Sequence, residues 1–277
     1  MSHETTQSTL DGTAPTAPAE NLQGLTLLET AALLAIHRAT RDRAPVSPSI
    51  YLTEALFVLL EKRHILKRCA EGDLRKPDGL QRAIYDPVCW RYLADWRATP
   101  LLESAIESHL RVCASDERSL HDRLQLWRAL ADAEVEGYLA HLLRRHAFEA
   151  RWAMDLPPTR WESGITLSQM RYVIWASVRE GAAAFLRTSL DHDHARMVIA
   201  SAVQRRAQWI AGRPDMGESF VPHASARPSL LLGIFLSDVA PLGSAYWRST
   251  PTLKALRTIA VPGVSSTPTN PSGEHND

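Results

Sequence analysis

The chain has 277 residues and a mass of 30.8 kDa, which is enough for one large domain or two small ones. Lys plus Arg and Asp plus Glu both number 31, so the formal net charge of zero argues against a strongly basic nucleic-acid binder or a polyacidic protein. The three cysteines cannot form a disulfide framework, which favours a reducing compartment. We therefore expect a cytoplasmic protein.

The hydropathy pattern predicts neither a membrane span nor a membrane partner. The longest apolar run, Leu230–Leu236, is far shorter than the roughly 20 residues that cross a bilayer, and it ends at Ser237. Such a run is typical of a buried helix or strand. The first twenty residues lack a charged segment followed by an apolar core, so we expect no secretory signal.

Composition divides the chain into a body with a polar segment at each end. Residues 1–24 and 262–277 are rich in Thr, Ser, Pro and Gly, and we expect them to be disordered because they have little apolar surface to bury. The proline pair at 157–158 interrupts the helical pattern of the body. It predicts a boundary between an N-terminal helical subdomain, 25–156, and a C-terminal one, 157–261.

The first half of the body shows apolar residues at helical spacings of three and four. Thr26 with Glu29 forms the capping box that opens a first helix. Ser47 with Pro48 predicts the start of a second, because proline fits the first turn of a helix. Two further helix starts are predicted at Thr99-Pro100 and at Ser115.

The second half has the same periodicity. Thr166 with Gln169 forms another capping box, followed by a long apolar stripe around Ile174 with Arg187 on the opposite face. The remaining elements are predicted as a helix from Asp191 to near Gly212, a loop over 213–228, and short helices over 229–238 and 250–259. Because period-two alternation is scarce, we predict a mainly α, multi-helix bundle-like body.

One region, residues 64–86, predicts a small β element. A helix ending at His64 is followed by a strand over 65–68, a polar loop and a second strand over 81–85. This order is similar in outline to winged helix-turn-helix proteins. The resemblance implies a DNA-binding transcriptional regulator that uses residues 25–86. Its phosphate contacts would come from a basic cluster formed by Lys62, Arg63, Lys67, Arg68, Arg75, Lys76 and Arg82.

The alternative for this region is a helical hairpin followed by a solvated, charged loop. A winged helix needs a short helix before its recognition helix, and the segment from Arg43 to Ser49 has room only for a turn. Acidic residues among the basic ones also offset much of the local charge.

Motifs for catalysis and metal binding are weak. The sequence has no glycine-rich phosphate loop, no dinucleotide-binding fingerprint and no nucleophile elbow. The cysteines form no close pair that would hold zinc. Asp191-His192-Asp193-His194 has the most metal-competent side chains, but acidic residues at a helix start are explained by capping. We therefore assign no catalytic residue, no metal ligand and no cofactor.

These observations favour a non-enzymatic helical interaction or adaptor protein, or a regulatory subunit, with a protein partner or a second copy of itself. Lysine occurs at only four positions, and an excess of arginine with abundant alanine is typical of a GC-rich bacterial genome. The DNA-binding regulator is the first alternative. The second is an enzyme whose site is assembled from scattered residues such as His141, Arg145, His146 and Glu149.

Overall fold

The computed structural model describes most of the body of the chain. The described residues are 22–68, 90–93, 100–155, 161, 164–188, 191–211, 213, 215–217, 220–222 and 228–259. The predicted disorder of 1–24 and 262–277 falls outside these residues, apart from 22–24, where Leu22 is buried in the core. The proline pair that predicts a subdomain boundary also lies outside them.

The described residues are mainly helical, as predicted, with nine helices and one pair of short strands. In chain order they are α1 (Leu27–Asp42), α2 (Ile50–Lys62), β1 (Leu66–Arg68), β2 (Trp90–Tyr92), α3 (Pro100–Ser115), α4 (Leu120–Arg145), α5 (Leu167–Arg187), α6 (His192–Ile210), α7 (Leu230–Ile234), α8 (Ala245–Arg248) and α9 (Leu253–Ile259). Single 3₁₀ segments flank α4 at Glu117–Ser119 and Ala150–Asp155, and α7 continues as a π-helical turn over Phe235–Val239. Of these helices, none is long and apolar enough to span a bilayer.

Local hydrogen bonds set three helix starts at the predicted residues. The Thr26 hydroxyl accepts the Glu29 N–H at 3.3 Å, and the Glu29 carboxylate accepts the Thr26 N–H at 2.8 Å. Thr166 and Gln169 form the same reciprocal pair at the start of α5. The Asp191 carboxylate accepts a backbone N–H three residues further on at 3.0 Å, so its interpretation as a helix cap is confirmed.

The start of α2 differs from the prediction. Ser49, not Ser47, is the capping residue, and its hydroxyl accepts two backbone N–H groups of the first turn. The Ser47 hydroxyl instead donates to the Ser49 carbonyl at 2.7 Å. Pro48 lies outside the helix, with its carbonyl so close to α4 that a Cβ on Gly137 would come within 2.4 Å of the oxygen. This contact with α4 holds the connection between α1 and α2 in place.

The strand predicted after α2 is confirmed as β1, and it pairs antiparallel with β2, with Leu66 opposite Tyr92 and Arg68 opposite Trp90. The predicted second strand over 81–85 lies outside the described residues. The connection over 43–49 is described throughout and contains no helix. The short helix that a winged helix-turn-helix requires has no counterpart there.

Helix α4 lies at the centre of the core and packs against α1, α2, α5 and α9. Its side chains at Trp127, Leu130 and Leu143 are fully buried. The closest helix pair is α5 with α6, where a Cβ on Gly181 would meet the Ile199 side chain at 2.3 Å. A side chain at position 181 would therefore force Ile199 or the helices themselves to shift, so glycine suits this crossing.

Helices α4 and α5 run side by side in the same direction. Glu134, midway along α4, contacts Arg171 near the start of α5, whereas Phe148, just beyond α4, packs edge-on against Phe185 near the end of α5. Residues on the later turns of both helices consequently lie next to one another.

The buried stripe of α5 can be tested at its centre. Ile174 is fully buried, so Ile174→Ala should lower the free energy of unfolding by about 2–5 kcal/mol through lost burial and a residual cavity. Arg187 is exposed and its side chain donates only to the Ala183 carbonyl, so Arg187→Ala should change that free energy by less than about 0.5 kcal/mol. Urea denaturation measures both, and an unchanged midpoint for Ile174→Ala would contradict the buried stripe.

Candidate functional site

The basic cluster predicted to contact nucleic acid is only partly described. Lys62, Arg63, Lys67 and Arg68 are exposed around the end of α2 and along β1. Arg63 donates to both oxygens of the buried Glu29 carboxylate, at 2.5 and 3.2 Å. Burial raises the pKa of Glu29, but hydrogen bonds from Arg63 and from the capping-box threonine outweigh it, so the pKa lies below its ordinary value. Arg75, Lys76 and Arg82 lie outside the described residues.

The fold brings a different set of cations together between α4 and α5. A cavity of about 430 Å³, here called the α4–α5 groove, opens along this helix pair. The described lining residues are cationic, imidazole-bearing, aromatic and aliphatic, and none of these described residues is acidic. They are Tyr138, His141, Leu142, Arg145, His146, Trp175, Val178, Arg179 and Phe220.

Helical periodicity explains why the lining residues of α4 form one wall of the groove and those of α5 form the other. On α4, Tyr138, Leu142 and Arg145 follow at intervals of four and three, the spacing of neighbours on a helix face. On α5, Trp175 and Arg179 are four residues apart. Because the two helices run in the same direction, these faces meet along the groove, with buried Leu142 among the residues closing it towards the core.

The two arginines of the groove carry uncompensated charge. Arg145 and Arg179 are exposed, and neither forms an ion pair with any carboxylate of the described residues. The Arg179 guanidinium lies over the Trp175 ring, 4.6 Å from its centroid, a cation–π contact that orients the side chain without neutralising it. His141 and His146 add exposed imidazoles, each of which can donate an N–H hydrogen bond.

Aromatic side chains form the other component of the groove. Phe220, which lies in the segment after α6, packs against Trp175 with ring centroids 5.3 Å apart. It also meets Tyr172 edge-on at 5.2 Å. These contacts hold Phe220 against α5, so a ring from outside the helix pair completes the cavity.

A buried ion pair lies beneath the groove. Arg171 Nη1 is 3.7 Å from Glu134 Oε2, and each side chain is only 14% exposed. The Arg171 guanidinium also stacks on the Tyr138 ring at 3.9 Å from the centroid, which connects the pair to the groove. Within the described residues, Arg171 Nε has no hydrogen-bond partner.

Burial dominates the ionisation of this pair. It raises the pKa of Glu134 to about 7, although Arg171 opposes the shift, and it lowers the pKa of Arg171. Burial therefore favours the neutral, protonated form of the Glu134 carboxyl, whereas Arg171 favours the ionised form. The nearby Tyr246 hydroxyl is fully buried without a described partner, and its pKa is raised by burial and by Glu134.

Of the four residues proposed for an enzymatic site, three line the groove and one does not. His141, Arg145 and His146 line the groove, whereas Glu149 lies outside its lining and pairs with Arg151 at 2.5 Å. Trp175 and Arg179 come from α5, and Phe220 comes from the segment after α6, both distant in sequence from α4. Sequence reasoning missed these, although the intervals along α4 and α5 were visible signals of two shared faces.

No cluster of three metal-competent side chains is found in the described parts of the chain. His192 belongs to Asp191–His194, the segment of the sequence with the most metal-competent side chains. Its imidazole packs against the rings of Phe148, Trp152 and Phe185. Comparison with known proteins found no matching family model, curated protein or solved structure.

Titration of Glu134 should appear in the pH dependence of stability. A carboxyl whose pKa is higher in the folded than in the unfolded protein binds more protons when folded, so its contribution to stability is lost as pH rises from about 4.5 to about 7. Glu134→Gln removes this titration. Relative to wild type, the variant should gain up to about 1.4 kcal/mol per pH unit across that window, measured by urea denaturation.

Glu180→Gln provides a control of opposite sign. Hydrogen bonds from Arg206 and Arg205 lower the pKa of Glu180, so this carboxylate stabilises the fold above its ordinary pKa and less at lower pH. Its replacement should cost stability at neutral pH and progressively less on acidification. Parallel pH profiles for Glu134→Gln and wild type would show that Glu134 is not a neutral-range titrating group.

Proposed function

We propose that the protein is a non-enzymatic bacterial interaction protein, an adaptor or regulatory subunit, that binds a negatively charged segment of a protein partner in the α4–α5 groove. The observation that carries the proposal is the charge of this groove. Two guanidinium groups and two imidazoles line it, and no carboxylate is found among its described lining residues. An acidic segment would supply the missing counter-charge.

Some of the other surface arginines are paired with carboxylates. Arg38 and Arg41 share Glu103, with contacts of 2.9 and 2.7 Å. Arg205 and Arg206 share Glu180 at 2.9 Å each. In a chain of zero formal net charge, Arg145 and Arg179 thus differ from these paired arginines, and they lie in the same cavity.

The composition of the groove suits protein recognition. Arginine, tryptophan and tyrosine are the residues enriched at the energetic centres of protein interfaces, and Tyr138, Trp175, Arg145 and Arg179 supply all three. The partner is a separate protein or an acidic segment of a second copy of this chain. The proposal places the protein in the cytoplasm, in keeping with its low cysteine content.

One observation favours DNA as an alternative partner. Lys67 lies directly opposite Arg91 in the β1–β2 pair, and Arg68 follows it, so three exposed cations lie on one short ribbon. Such a ribbon suits contact with phosphates. Duplex DNA binding that is weakened by Lys67→Glu and unaffected by Arg145→Glu would support this alternative over the groove.

Binding accounts for the groove better than catalysis does. A general acid–base site needs a partner that orients the imidazole or a nucleophile next to it. His141 and His146 have neither among the lining residues, and Glu149 is engaged with Arg151. The lining does supply what an anionic ligand requires, which is charge with rigid apolar surface beside it.

Charge reversal tests the proposal. A fluorescein-labelled peptide of acidic composition, with one central tyrosine flanked by glutamates, should bind the wild-type protein with an affinity that falls as salt is added. Arg145→Glu and Arg179→Glu should each raise its Kd about tenfold or more, equivalent to about 1.4 kcal/mol. Fluorescence anisotropy measures the Kd.

Matched controls exist on the same two helices. Arg144 is the exposed neighbour of Arg145 on α4, and Arg187 is exposed on α5; neither lines the groove. Arg144→Glu and Arg187→Glu change the net charge identically and should alter the Kd less than threefold. Equal losses in the groove and control variants would contradict a site in the α4–α5 groove.

A further inference from the structure

We infer that the α4–α5 groove recognises an aryl phosphate, the side chain of a phosphorylated tyrosine on the acidic segment of the partner. This inference rests on the proposed function, because it specifies which group of the bound segment enters the groove. It adds a modification dependence that the proposal alone does not contain.

The charge of the groove fits a phosphate better than a single carboxylate. A phosphorylated side chain carries a charge of about −1.5 to −2 at neutral pH and three acceptor oxygens. Arg145 and Arg179 approach from different helices, and each guanidinium presents a planar set of donors suited to bidentate phosphate contact. His141 and His146 offer further N–H donors at the same cavity. A lone carboxylate would leave most of these donors without a partner.

The aromatic component fits a phosphate that is attached to a ring. Arg179 stacks on Trp175 at 4.6 Å, so one of the cations lies directly beside an aromatic surface. Phe220 packs on the same tryptophan, and Tyr138 lies in the same lining. A ligand that places a rigid ring next to these side chains while its phosphate reaches the arginines would use both components. A phosphoserine has the phosphate but no ring to pack against them.

The charge available to a ligand comes from the walls of the groove. At its base, Arg171 stacks on Tyr138 and is paired with Glu134, so it contributes little. The charged side chains of the described lining are Arg145 on α4 and Arg179 on α5, and no carboxylate is among them. These two guanidinium groups favour an anionic ligand over a neutral one.

Three peptides of identical acidic sequence test the inference, carrying at the central position tyrosine, phosphotyrosine or phosphoserine. Wild-type protein should bind the phosphotyrosine peptide at least tenfold more tightly than the tyrosine peptide and at least threefold more tightly than the phosphoserine peptide. Arg145→Ala and Arg179→Ala should remove most of the gain from phosphorylation, and Arg144→Ala and Arg187→Ala should retain it. Trp175→Leu should remove the preference over phosphoserine, with circular dichroism reporting that the helices remain folded.

The outcomes separate this inference from the proposed function. Equal binding of the tyrosine and phosphotyrosine peptides, both weakened by Arg145→Glu, would overturn the inference and leave the acidic-segment proposal intact. Failure of the wild-type protein to bind any of the three peptides would overturn both. Adenosine monophosphate displacing the phosphotyrosine peptide at concentrations below those of free phosphotyrosine would identify a nucleotide site and overturn the inference.

Discussion

The contact between Glu134 and Arg171 is the constraint on which the geometry of the α4–α5 groove depends. Two ionisable side chains, each 14% exposed, meet at 3.7 Å in the interface of two helices that run in the same direction. Desolvation of such a pair offsets much of its attraction, so its net stabilisation is small. Removing Glu134 alone would leave the buried Arg171 guanidinium without its counter-ion. The contact links the middle of α4 to the start of α5, and Tyr138 stacks on the same guanidinium.

The parallel course of α4 and α5 explains why the groove is basic. Both helices have their negative dipole ends on the same side of the molecule, and each has arginine in its last turn, with Arg144 and Arg145 on α4 and Arg187 on α5. Cations at these ends offset the unfavourable alignment of the two dipoles. Only Arg145 of the three turns into the groove, where Arg179 joins it from α5. Arginine at the end of α4, which stabilises the helix, thus also contributes positive charge to the groove.

Features that depend on neighbouring residues could be read from the sequence. The capping boxes at Thr26 and Thr166 and the cap at Asp191 use hydrogen bonds across three residues, so their helix starts were predicted at the correct positions. The prediction that Ser47 caps α2 was wrong, because a tertiary contact determines where this helix begins. The connection presses against Gly137 of α4, and this close approach places the helix start at Ser49 instead.

The candidate site could be predicted only in part, because it is assembled from three separate segments. His141, Arg145 and His146 lie close together on and just beyond α4, and their density of polar groups near an apolar face made them visible. Trp175 and Arg179 could not be linked to them without knowing that α4 and α5 run in parallel. Phe220 follows α6 in a segment with no periodicity, and its position depends entirely on packing against α5.

The charge state of Glu134 relates the interior of the fold to the groove. When Glu134 is protonated, Arg171 lacks its counter-ion, and its guanidinium lies directly beside Tyr138 of the groove lining. When Glu134 is ionised, Arg171 is paired and contributes little to the potential in the cavity. An anion bound in the groove, as we propose, would therefore favour the protonated carboxyl, and by linkage proton uptake at Glu134 would favour the bound anion. Because burial raises the Glu134 pKa to about 7, this coupling would fall in the neutral range of pH.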